Sequence, residues 1–236
     1  MNRFASKHGW TLGLLALLVA LLAFTRVIQP DFGASGLETL TRATLPFAFA
    51  TAAMAVVVIA GGIDLSVASM MAVAGVTAAV LMEGASGGAS VAVVGFVLLL
   101  GVIMPGGAAS PWLRNLIVGS LGAYWVPKSF VLLALCLAII WLPLRRSRLG
   151  LSIYAIGSDE LAAYRSGIAI GWTRIAAYAI CGLFAAMGGL ALTMSTGNGE
   201  PIPGPYLMAS VAAVVLGGVV LGGGRGALLG PIIAVF

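Results

Sequence analysis

Charge is what this chain has least of. Only 8% of its 236 residues are Asp, Glu, Lys or Arg, against about 25% in an average soluble domain. So few charges cannot cover the surface of a soluble enzyme, and they exclude a disordered chain as well. The balance of +5 is too sparse for a phosphate-binding face, which excludes a nucleic-acid partner. Lysine occurs only at Lys7 and Lys128, and no G-x-x-x-x-G-K-[ST] run is present, so the chain has no nucleotide-binding P-loop of its own. The single histidine, His8, lies near the N-terminus and is read as a solvated residue without a role. No Cys/His cluster has metal-ligand spacing, so neither metal nor cofactor is expected. Cys136 and Cys181 both lie in apolar runs and read as buried free thiols rather than a disulfide framework. No nucleophile–base pair is visible, and no catalytic residue is assigned.

What is there instead is apolar. Hydrophobic residues make up 61% of the chain and the mean hydropathy is +1.13. The 33 glycines are about twice the usual ~7%, which suits close helix contacts and interrupted helices in a bilayer. The fold class that follows is all-α, a polytopic helical integral membrane protein. A span needs about 20 mostly apolar residues. Candidate spans are Trp10–Ile28, Ala43–Ala60, Val67–Met82, Ala89–Met104, Phe130–Leu144, Ile175–Met194 and Tyr206–Leu221, and a further apolar run opens at Ala227. That makes about seven to eight spans in one domain, 1–236. Trp10–Ile28 is long for a signal-peptide core and no clear A-x-A site follows it, so it is read as retained.

Lys and Arg set the orientation. Arg145, Arg146, Arg148, Arg165 and Arg174 place the 145–172 loop on the cytoplasmic side, and Arg3 and Lys7 place the N-terminus there too. Four spans return the chain to the cytoplasm near Pro105, yet the span ending at Leu144 must start outside. One more crossing is needed, and only Trp112–Val126 is available to supply it; either this short segment crosses, or the middle of the chain is not a normal membrane domain.

Two features stand out. In Gly61-Gly62-Ile63-Asp64-Leu65-Ser66, a carboxyl lies between apolar runs, where insertion costs at least ~2.5–3.5 kcal/mol. The run fits a capped junction, with Asp64 or Ser66 receiving the first amides of the next helix. The second reading is a broken helix lining a pathway. In the 145–172 loop, Ser158 or Asp159 is an N-cap, Leu161 and Tyr164 share a face, and Gly167 is a stop. A helix of about two turns is expected there, either lying on the membrane surface or docking a cytoplasmic protein. Gly222-Gly223-Gly224-Arg225-Gly226 is read as a tight turn between spans.

Gly61-Gly62-Ile63-Asp64-Leu65-Ser66-Val67 resembles the signature that follows the second span in permease subunits of bacterial ABC sugar importers, the family of ribose, xylose, arabinose and galactose permeases. Arg146-Ser147-Arg148-Leu149-Gly150, Tyr154-Ala155-Ile156-Gly157, Glu160-Leu161-Ala162-Ala163 and Ser166-Gly167-Ile168 resemble that family's coupling segment. The resemblance covers residues 10–104 and 129–236. It implies an inner-membrane permease that pairs with a second copy, binds ATPase subunits on separate chains, and receives a monosaccharide from a periplasmic binding protein. By the same carry-over, Gly157, Asp159, Glu160, Ala163, Arg165 and Gly167 form the ATPase contact, and Gly61, Gly62, Asp64 and Ser66 are signature residues near the pathway. Two departures are expected: a shortened middle around Pro111–Lys128, and absent last spans, since the chain stops in an apolar run at Phe236.

Other readings remain. A branched-chain amino-acid ABC permease shares the architecture. A truncated, non-transporting membrane protein fits the departures. A secondary transporter would need intramembrane ionisable residues, and only Asp64 and Glu83 come near.

Overall fold

A computed structural model of the chain describes residues 3–83, 87–99, 111–121, 126–199 and 205–236. The order is α1 (Arg3–Ile28), α2 (Ala34–Ile59), α3 (Val67–Met82), α4 (Gly87–Leu99), α5 (Pro111–Arg114), β1 (Ser120–Leu121), β2 (Val126–Pro127), α6 (Lys128–Arg146), α7 (Arg148–Ser158), α8 (Glu160–Arg165), α9 (Ile170–Thr196), α10 (Tyr206–Leu216) and α11 (Leu229–Val235). Among the described residues, four helices are long and apolar enough to cross a bilayer: Gly9–Ile28 within α1, then α2, α6 and α9. The two shorter apolar helices, α3 and α10, have 16 and 11 residues.

α2 is the centre. From Ala48 to Ile59 almost every side chain is buried, because α9, α3, α10, α11 and α6 pack around it. The uninterrupted apolar run Ala52–Ala60 is what permits burial on every face. α9 packs against both α2 and α3. Where α3 meets α9, Gly75 and Gly189 face each other, and a Cβ on Gly75 would sit 2.8 Å from Thr193 Oγ1 and 3.0 Å from Gly189 O. Small residues thus let the two backbones touch, the usual basis of tight packing where lipid gives no hydrophobic drive. Outer helices show the opposite pattern: α1 and α6 expose Leu12, Leu17, Phe24, Leu135 and Ile139, as a hydrocarbon solvent allows. Trp10 Nε1 donates to Leu216 O at 2.6 Å, tying α1 to a carbonyl left free at the end of α10.

Several boundaries differ from the sequence reading. α2 begins nine residues before the expected Ala43, because Ala34–Arg42 is amphipathic. Its Glu38 Oε1 accepts a hydrogen bond from Gly119 N at 2.6 Å, and its Thr41 Oγ1 accepts one from Ser129 Oγ at 2.9 Å. α10 stops at Leu216 rather than Leu221, since Gly218 turns into the left-handed region at φ +83°. Of the two readings of Trp112–Val126, the described residues favour an irregular middle over a spanning helix. The described part of this stretch holds a single helical turn, α5, and an antiparallel two-residue ladder pairing Ser120 with Pro127. The fourth span's end near Met104 and most of the turn after Glu83 lie outside the described residues.

Candidate functional site

α2 closes with two backbone bonds: Gly61 N donates to Val58 O at 3.0 Å and Gly62 N to Val57 O at 2.9 Å. Gly61 stands at φ +84°, where a Cβ is strained. These are the two bonds of the Schellman ending, so the double glycine terminates the helix as expected. Three residues without regular structure follow, then a turn, and α3 opens at Val67. In this break Ile63 and Leu65 are exposed, 52% and 67%, while Asp64 is buried at 8%. That is inside-out for a protein in water and correct for one in lipid, where a carboxyl must find protein partners.

Asp64 finds three. Its Oδ1 accepts from Ser66 N at 2.9 Å and Ser66 Oγ at 2.6 Å, and its Oδ2 accepts from Cys181 Sγ at 3.3 Å. The expected cap is corrected. Ser66 occupies the N-cap position of α3 but its side chain caps no amide, and Asp64 binds the turn that precedes the helix. Asp64 instead links the break to α9, a contact that sequence spacing of 117 residues could not reveal.

The 145–172 segment holds two helices before α9, not one. α7 arises because Ser147 Oγ accepts from Gly150 N at 3.1 Å while Ile153 and Ile156 bury one face. At α8, Asp159 Oδ1 accepts from Ala162 N at 2.9 Å, making Asp159 the N-cap. Gly167 N donates to Tyr164 O and Ile168 N to Ala163 O, with Gly167 at φ +81°. The short helix and its glycine stop are as expected. Glu160 pairs with Arg174 near the start of α9, each side chain about half exposed, 50% and 51%. Leu161 and Tyr164 project outward, 58% and 68% exposed. Ala163 turns inward at 4%, and Gly157 is half-buried, with Ile59 O and Gly224 N closing the space where a Cβ would be. No atom approaches within 4 Å of where a Cβ on Gly167 would be; its backbone conformation is the reason for glycine.

Gly157 is covered by the glycine turn 222–226, which the sequence reading left as a simple connection. Gly224 N donates to Ile59 O at 2.8 Å, across to the last residue of α2. Tyr154 Oη donates to Gly226 O at 2.9 Å. A Cβ on Gly223 would lie 2.7 Å from Gly61 Cα and 2.8 Å from Gly157 O. Three stretches far apart in sequence, 59–61, 154–158 and 223–226, therefore meet backbone to backbone. The available signal was the glycine run itself, with Gly223 and Gly224 both at positive φ. Burial pushes the Tyr154 phenol above its ordinary pKa, and the Arg145 charge offsets part of that rise.

A groove of about 580 Å³ lies apart from these features, between α1, α6 and α11. Leu15, Phe130, Trp141 and Phe236 line it, which suits hydrocarbon and not the hydroxyls of a sugar. Among the described residues, no group of three or more His, Cys, Asp or Glu is placed to hold a metal ion.

A broken apolar helix and a short capped helix thus stand together, and comparison with known proteins gives the class. The family model described as the branched-chain amino acid transport system / permease component matches residues 106–236. The ribose import permease protein of Escherichia coli K12 is 30% identical, over 93% of this chain and 80% of its own length. That of Haemophilus influenzae is 28% identical over 92% and 79%. The xylose transport system permease protein of E. coli K12 is 38% identical over 63% of this chain and 36% of its own. No solved structure matches the chain. The chain belongs to the permease family of ABC sugar importers. The alignment to the E. coli ribose permease, 260 positions, exceeds the 236 residues of this chain, so that relative has internal residues without a counterpart here.

Proposed function

We propose that the chain is the membrane-spanning subunit that carries a ribose-type monosaccharide across the inner membrane. It works with ATPase subunits that hydrolyse ATP, a periplasmic binding protein and a second permease copy. One observation carries this reading: α8, with Leu161 and Tyr164 free on its surface, stands in one continuous assembly with the buried-carboxyl break between α2 and α3. Residues 1–236 act as one domain, with the N-terminus and the 145–172 segment cytoplasmic. At the ATPase contact, Glu160, Leu161, Tyr164 and Arg165 supply surface, Asp159 and Gly167 set the helix ends, and Gly157 and Ala163 hold the helix from behind. Gly61, Gly62, Asp64 and Ser66 shape the break beside the pathway. The names of the relatives favour a sugar over a branched-chain amino acid.

The test is co-expression with the cognate ATPase and binding protein, purification, and ribose uptake by reconstituted vesicles. A stoichiometric complex with ATP-dependent ribose uptake is expected. A folded chain that binds no ATPase refutes the reading, and uptake of leucine in place of ribose transfers it to the amino-acid importers. A Ser158→Cys variant is expected to react with an impermeant thiol reagent from the cytoplasmic side alone; labelling from the periplasm overturns the topology.

A further inference from the structure

Both ends of the α2–α3 break are tied to the coupling segment, by separate routes. On the α2 side, Tyr154 of α7 donates to Gly226 O, and the same glycine turn donates from Gly224 N to Ile59 O. The turn has no slack at this point: a Cβ on Gly224 would lie 2.6 Å from Ser158 N, and one on Gly157 would lie 3.1 Å from the Ile59 carbonyl carbon. On the Asp64 side, Glu160 of α8 pairs with Arg174. Arg174 and Cys181 lie on one helix, two turns and about 10 Å apart. The Cys181 thiol then donates to Asp64. A helix is a rigid element that carries displacement between contacts along its length, and close-packed backbone contacts transmit strain.

We propose that Tyr154 and Arg174 are positioning residues of the transport cycle, which make the Gly61–Ser66 break move with the coupling helix. This rests on the importer reading above. ATP-driven displacement of α8 reaches the membrane path through two ties, one at each end of the break. Neither residue touches sugar or nucleotide; both act through the contacts they hold.

The experiment uses the full complex of permease, ATPase and binding protein in vesicles, and reads ribose taken up per ATP hydrolysed. Tyr154→Phe removes one hydroxyl and keeps the ring, so the fold is retained. Arg174→Gln removes the charge, and Arg174→Lys keeps it. Both Tyr154→Phe and Arg174→Gln are expected to co-purify with ATPase and to hydrolyse ATP at the wild-type rate. Uptake per ATP is expected to fall several-fold in each and further in the double variant, with Arg174→Lys close to wild type. A purely structural role lowers hydrolysis and uptake together and leaves their ratio alone. An unchanged ratio in the double variant therefore overturns the proposal. If the wild-type complex itself takes up no sugar, the importer reading fails first and this inference fails with it.

Discussion

Replacing Gly189 by alanine tests the frame that holds Cys181 opposite Asp64. A Cβ there would overlap the Met71 carbonyl group, 2.9 Å from its carbon, and would lie 3.0 Å from Gly75 N. These are backbone atoms and cannot rotate away, so α3 and α9 must part along their length. Overpacking of this kind costs about 1–3 kcal/mol. Against it stands the helix propensity of alanine, which favours the substitution by roughly 0.5–1 kcal/mol. The net expectation is destabilisation of up to about 2.5 kcal/mol, centred near 1, by those two magnitudes. Gly171 provides the control on the same helix: nothing lies within 4 Å of its Cβ position, so Gly171→Ala keeps the propensity gain alone. Denaturant titration of the purified protein in mixed micelles, followed by helicity, measures both. Opposite signs for the two variants are expected. Equal effects at Gly171 and Gly189 refute the close approach of α3 and α9.

Asp64→Ala leaves the Cys181 and Ser66 donors without their acceptor and is expected to cost about 1–3 kcal/mol in the same titration, whereas Asp64→Asn keeps an acceptor oxygen and costs less; a neutral alanine variant contradicts the bonding described. Glu160→Gln breaks a half-exposed ion pair, so its effect on stability is expected below about 1 kcal/mol and to vanish in high salt. The Tyr154 phenol has its pKa raised in the folded protein, so the stability it contributes is complete below the unfolded value of about 10 and is lost as pH rises through the higher folded value. The ultraviolet titration of the folded protein should show a tyrosine step above pH ~10 that disappears in Tyr154→Phe; persistence of that step in the variant disproves the assignment.

How much was legible depended on the range of the interaction. The double glycine that ends α2, the Asp159 cap and the Gly167 stop of α8 are events within five residues, and local backbone chemistry writes them into the sequence. The α7 helix was missed because 145–172 reads as polar, although Ser147 and the Ile153 and Ile156 spacing announce it. Whether Trp112–Val126 crosses was left open for a different reason. The need for a crossing was inferred from charge parity, which counts spans without testing whether a segment can form a helix, and the described part of this one forms a turn and a short ladder.

The sequence by itself determined that this protein lives in a bilayer, carries a carboxyl in a break between apolar runs, and has a short capped helix in its 145–172 segment. These follow from composition, from helix-length apolar runs and from local capping, all of which are properties of neighbours along the chain. Only the tertiary structure decided that Asp64 bonds to Cys181, that Ala163 faces inward while Tyr164 faces out, and that Gly157 is packed beneath a glycine turn 66 residues further on, at Gly223. Glycines carry no side chain to announce a partner, and a thiol in an apolar run looks like any small core residue. Their roles come from which backbones approach closely, and that is settled by packing α9 against α2 and α3.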